Sequence, residues 1–171
     1  NIKNQRLLNQ KISEFQPDIV YVHNTWFAAS LGIFDVLKKR NIKVLLKLHN
    51  LRFNCTRTYL SKKHFENDNA CLCCGKKRED LGFFNKYFEE SFLKSLYVTR
   101  YGKKYFKILN EMDLTILVLT SFHKKFLESL SIKNKIEIFP NYIDVTKNTV
   151  KRKNLPYLVY AGRISQEKGV E

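Results

Sequence analysis

The chain has 171 residues, and 44% of them are hydrophobic, enough for a folded core and against wholesale disorder. No apolar run approaches the roughly 20 residues of a membrane-spanning helix, which excludes an integral helical membrane protein for this stretch. Lys and Arg total 31 against 16 acidic residues, and the net charge of +15 favours anionic partners (nucleotides, nucleic acid or acidic lipid surfaces) without choosing among them.

In chain order, Ile2, Leu7, Leu8, Ile12 and Phe15 space out a loose helical face over residues 2–15, which Pro17 ends. Residues 18–22 are a short β-rich run. Residues 26–40 predict a helix whose basic end, Lys38-Lys39-Arg40, suits the negative end of the helix dipole. Residues 42–48 predict a second strand. No period is sustained from Asn50 to about Asn85, and loops of that length usually carry function or are disordered.

A long helix is expected over 86–111, with Phe84, Phe88, Phe92 and Leu96 in one i,i+4 row and Tyr97, Tyr101, Tyr105 and Leu109 in another. A buried strand over 114–119, a helix over 122–130 and a strand over 136–139 follow. Residues 144–154 are polar and basic, a linker by composition. A last strand, 157–161, leads into a turn and a helix start. Alternating strands and helices, with two strands near-continuously apolar, predict a parallel α/β sheet with helices on both faces. One such domain, 1–143, then ends before the linker, and a second begins at 155–171. Beginning at Asn1 and stopping at Glu171, the chain is expected to be an internal piece of a longer protein.

Ligands of open α/β sheets sit beyond the carboxyl ends of the strands. The five predicted strands end in His23-Asn24, His49-Asn50, Thr120-Ser121, Pro140-Asn141 and Gly162-Arg163. Capping explains Thr120-Ser121 and Asn141. It explains two His-Asn pairs poorly, because His is not a preferred cap, so a ligand cleft is expected there. After the last strand, Gly162 allows close backbone approach, Arg163 follows, and Lys168 lies at the helix start. A diphosphate there would meet backbone N–H groups, a forked guanidinium and an ammonium, which stabilise growing negative charge on a leaving group. Neither a Gly-x4-Gly-Lys-Ser/Thr nor a Gly-x-Gly-x-x-Gly pattern is present.

The ordered set Pro17-Asp-Ile-Val-Tyr-Val-His23-Asn24, Leu48-His49-Asn50-Leu51-Arg52, Thr120-Ser121-Phe122, Ile138-Phe139-Pro140-Asn141-Tyr142-Ile143-Asp144 and Tyr160-Ala-Gly162-Arg163-Ile-Ser-Gln-Glu-Lys168-Gly169 resembles the retaining glycosyltransferases of family 4. His49-Asn50-Leu51-Arg52 with Cys55 and Cys71-x-x-Cys74 also resembles a subset of that family. The resemblance implies the GT-B fold, two Rossmann-like domains facing a cleft, with the acceptor on the first and a UDP- or GDP-linked nucleotide-sugar on the second. It implies that Arg163 and Lys168, with Gly162, hold the donor diphosphate. His49 would stand at the reaction centre, with His23, Asn24, Asn50, Arg52, Ser121 and Asn141 along the cleft on the acceptor side. No cofactor and no metal is implied, and the expected partners are a nucleotide-sugar and a glycan or lipid-linked acceptor. Three departures matter. The family's glycine-rich loop is missing, its Glu-x7-Glu motif would fall beyond Glu171, and Tyr142 replaces the usual Gly after Asn141. Residues 1–171 are therefore expected to be inactive by themselves.

Cys55, Cys71, Cys73 and Cys74 have the spacing Cys-x15-Cys-x-Cys-Cys, which is not a standard zinc finger or ribbon; a structural loop is the expectation and Zn²⁺ the alternative. A chain with this core and this cysteine pattern suits a reducing, cytoplasmic setting. The basic residues of 86–111 fit a solvated helix face, or a peripheral contact with anionic membrane on the inner face of the cytoplasmic membrane. The rival function is a nucleic-acid-binding module. Against it, the basic residues are scattered over all segments and no standard nucleic-acid motif appears. A second rival is another sugar-nucleotide enzyme, such as an epimerase.

Overall fold

The structure, a computed structural model, describes residues 2–25, 30–54, 86, 88, 90–142, 160–162 and 164. It divides into two compact units, Asn1–Pro140 and Asn141–Glu171. The first contains α1 (Ile2–Phe15), β1 (Ile19–His23), α2 (Gly32–Lys39), β2 (Lys43–Lys47), α3 (Phe92–Glu111), β3 (Thr115–Val118), α4 (Ser121–Ser129) and β4 (Ile136–Ile138).

All four strands are parallel, in the order β1-β2-β3-β4. The fold class is therefore α/β, a parallel sheet flanked by helices and consistent with a Rossmann-like fold. Parallel neighbours require crossovers, and the helices between strands supply them. The registers pair Val22 with Leu46, Leu46 with Ile116, and Ile116 with Ile136. Because side chains alternate across the pleat, these residues share one face with Val44 and Val118, and all lie in the core with Phe34, Leu37, Leu109 and Leu127. Leu46, Leu109, Ile116 and Leu127 are wholly buried, and each such side chain stabilises the fold by about 1.5–3 kcal/mol. The opposite face of β1 carries Ile19, Tyr21 and His23, all exposed.

Two helix starts differ from the periodicity, and a third helix buries less of its apolar face than the spacing suggests. In α1 only Ile12 is buried, while Ile2, Leu7 and Phe15 are exposed, because the helix packs on α2 by the narrow stripe of Gln5, Leu8 and Ile12. The Gln5 side chain donates to the Gly32 carbonyl at 3.1 Å, and a Cβ on Gly32 would collide with that amide. The predicted helix 26–40 begins only at Gly32, after Ser30 turns the chain at φ 63°. It closes at Asn41, φ 53°, with the Ile42 N–H bonded to the Leu37 carbonyl in a Schellman turn. The predicted helix 86–111 begins at Phe92, because Ser91 caps it by accepting from the Lys94 N–H. Phe88 stays outside the helix, its N–H donating to the Ser95 hydroxyl at 3.0 Å, so the first aromatic row does not run along one helix. The second row holds in part: Tyr101, Tyr105 and Leu109 are buried and Tyr97 is exposed.

Thr120 caps α4 by accepting from the His123 N–H at 3.2 Å. The predicted strand 157–161 falls mostly outside the described residues, as does the linker 144–154; Tyr160 and Ala161 are irregular chain. Among the described residues no helix is long and apolar enough to cross a membrane.

Candidate functional site

The ends of β1 and β2 build the site. His23 is the last residue of β1 and pairs in register with Lys47, the last of β2. The ladder continues one residue further, where the Leu48 N–H bonds to the Leu117 carbonyl at 2.9 Å, and so His49 emerges beside His23. His23 Nδ1 lies 3.0 Å from His49 Nε2, with the rings roughly parallel and their centres 5.2 Å apart. The Tyr21 ring meets His23 edge-on at 4.1 Å. One proton lies between the two imidazoles. With both rings neutral, one outer nitrogen of the pair then donates and the other accepts, whichever ring supplies the shared proton.

Partial desolvation of an imidazole that still reaches the surface, reinforced by the positive potential of His23 and then Lys47, holds His49 below its ordinary value of 6.5. Neutral His49 is thus favoured at physiological pH.

The turn after β2 fixes the remaining residues. Asn50 Oδ1 accepts from the Arg52 N–H at 3.2 Å, an Asx turn, and the Asn54 N–H bonds to the Leu51 carbonyl at 2.8 Å. Asn24 bends the end of β1 at φ 22°. Beneath it Thr25 is buried, its hydroxyl 3.1 Å from the Tyr101 hydroxyl, which ties the end of β1 to α3. Burial raises the Tyr101 phenol above 10, and Tyr105 more strongly, so both remain protonated. A small cavity of about 10 Å³ closes between Asn24, Lys47, His49, Asn50, Arg52 and Tyr101, with Thr25, Leu48 and Tyr105 behind them. It has room for one water-sized group.

Lys47 is only 4% exposed, and among the described residues no carboxylate pairs with it. Its ammonium lies 4.7 Å from the centre of the Phe139 ring. Desolvating an ammonium costs several kcal/mol, and a cation–π contact returns about 2 kcal/mol at most.

Of the residues singled out in the sequence, His23, Asn24, His49, Asn50 and Arg52 come together here. Ser121 starts α4 at the end of β3, exposed and outside the cavity lining. Asn141 and Gly162 belong to the second unit. There the Tyr160 phenol would sit 2.8 Å from any Cβ at Gly162, so only glycine fits under that ring without displacing it. Arg163, Lys168, Cys55, Cys71, Cys73 and Cys74 lie outside the described residues. Among the described residues no group of three or more His, Cys, Asp or Glu could hold a metal. Sequence reasoning missed Thr25, Lys47 and Tyr101 as site residues. The one available signal was a lysine inside the otherwise apolar run Leu45-Leu46-Lys47-Leu48.

No family model matches the chain, and no curated protein or solved structure matches it either.

Proposed function

We propose that the chain is the acceptor-side half, and the start of the donor-side half, of a retaining glycosyltransferase that uses a UDP- or GDP-linked sugar. The observation that carries this reading is the meeting of two His-Asn pairs at the carboxyl ends of adjacent parallel strands, with the imidazoles 3.0 Å apart. Ligands of open parallel sheets bind at that edge. In this reading the bond between the sugar C1 and the donor phosphate oxygen breaks, and its electron pair leaves on the diphosphate. The acceptor hydroxyl adds to C1 on the same face and passes its proton to the departing diphosphate oxygen. His49, neutral, hydrogen-bonds the donor sugar; His23 holds the His49 ring; Arg163 and Lys168 stabilise the departing charge.

The acceptor is a glycan or a lipid-linked sugar, and the enzyme works in the cytoplasm at the inner membrane face. Leu93 and Tyr97 are exposed on α3 alongside Arg100 and Lys104, an apolar and basic stripe suited to that surface. The test supplies the chain, within its complete reading frame, with UDP- and GDP-sugars and an acceptor glycan. Release of nucleoside diphosphate and a product whose anomeric configuration matches the donor, read by NMR, are expected. Inversion, or no consumption of any nucleotide-sugar, overturns the reading.

A further inference from the structure

We propose that a second, larger cavity on the flank of α3 binds an amphipathic anion, a small molecule with an apolar body and one carboxylate head. This goes beyond the transfer reading and does not depend on it.

The cavity holds about 530 Å³, a volume within the range of small-molecule sites. It lies between the C-terminal half of α3, the turn after β2 and the end of α4, and it shares no lining residue with the small cavity beside His49. Phe53, Phe106 and Leu130 make its apolar walls. Phe53 is wholly buried, with its ring edge-on to Tyr105 at 6.0 Å between centres, and Phe106 and Leu130 pack against the core. On the polar side, the Asn110 amide is anchored by donating to the Phe106 carbonyl at 3.2 Å. The fold thus sets these walls before a ligand arrives, which lowers the ordering cost of binding.

Charge decides the kind of ligand. Of the charged lining residues, Lys107 and Glu111 answer each other at 3.6 Å. Lys103 is left over: among the described residues no carboxylate pairs with it, whereas its neighbour Lys104 is bound to Asp35 at 3.0 Å. Lys103 and Lys107 also stand one helical turn apart, where like charges repel. An anion at this rim relieves the repulsion. An exposed ammonium attracts an anion only weakly by itself, so the apolar body must supply the remaining affinity from the aromatic and aliphatic walls. A neutral apolar molecule would use the walls alone, and a bare anion the rim alone.

The experiment is an NMR titration of the 171-residue chain at fixed ionic strength with hexanoate, hexanol and acetate, followed at the amides of Phe106, Asn110 and Leu130. Hexanoate should saturate in the millimolar range, hexanol should bind about threefold or more weakly, and acetate should not saturate. Lys103→Met should weaken hexanoate about threefold or more and leave hexanol unchanged, and the charge reversal Lys103→Glu should weaken hexanoate further. Lys3→Met removes the same charge from exposed α1 and should leave hexanoate binding unchanged. Lys103 and Lys3 are both exposed, so these variants leave the core intact. Equal affinities for hexanoate and hexanol, equal losses in Lys3→Met and Lys103→Met, or shifts confined to residues away from the cavity would each overturn the proposal. Saturation by none of the three probes overturns it too, because the cavity is then closed to ligands in solution. Sugar transfer by the complete reading frame, present or absent, alters none of these outcomes.

Discussion

Thr25→Val tests whether the site rests on α3 as described. Valine keeps the shape of threonine and deletes only the hydroxyl that meets the Tyr101 hydroxyl at 3.1 Å. Thr25 is 2% exposed, so water cannot replace the lost bond. A buried hydrogen bond of this kind contributes about 1 kcal/mol, and a partner left unsatisfied raises the loss to about 1–3 kcal/mol. For a unit of this size each kcal/mol lowers Tm by about 2–4 °C. Tyr101→Phe should cost a similar amount, and the double variant should cost less than the sum, with a coupling of about 1 kcal/mol. Urea denaturation of the four proteins measures the cycle. Additivity within about 0.3 kcal/mol would show that the two hydroxyls do not interact, and that β1 is not tied to α3 beneath the imidazoles.

Leu46→Ala, at a wholly buried position in the middle of the sheet, should cost about 3–5 kcal/mol by denaturation, whereas Leu7→Ala on exposed α1 should cost under 0.5 kcal/mol. His49 should titrate below 6.5 by NMR, and His23→Asn should bring it back towards 6.5, since His23 is one of the causes of the depression. The sign for stability follows. The unfolded chain takes up the His49 proton more readily than the folded one, so this residue destabilises the fold as pH drops from 6.5 through its lowered pKa, and has no effect above. For the helix face of Leu93, Tyr97, Arg100 and Lys104, co-sedimentation with vesicles should increase with anionic lipid and fall several-fold in Leu93→Glu; binding indifferent to lipid charge would exclude the contact.

The strands were readable because β-branched and aliphatic runs such as Ile19-Val20-Tyr21-Val22 and Ile116-Leu117-Val118 fit only a sheet buried on at least one face. Helix starts were less readable, because periodicity continues through a capping residue. The aromatic spacing runs across Ser91, yet Ser91 is itself the N-cap that begins α3. The candidate site was legible as strand ends and not as a contact. His23 and His49 meet because β1 and β2 pair with His23 opposite Lys47, and nothing in either segment fixes that register. Lys47 and Tyr101 were hidden for a different reason: their neighbours in sequence are core residues, and only the tertiary structure turns both toward one cavity.

The most direct measurement is the rate of sugar transfer by the complete reading frame carrying His49→Ala, set beside His23→Asn and the unaltered protein. Loss of one preorganised polar contact at the reaction centre predicts a fall of about 100-fold or more in kcat for His49→Ala, and a smaller one for His23→Asn, which frees the ring rather than removing it. Rates for His49→Ala within about threefold of the unaltered protein would contradict the placement of the reaction at this pair of strand ends.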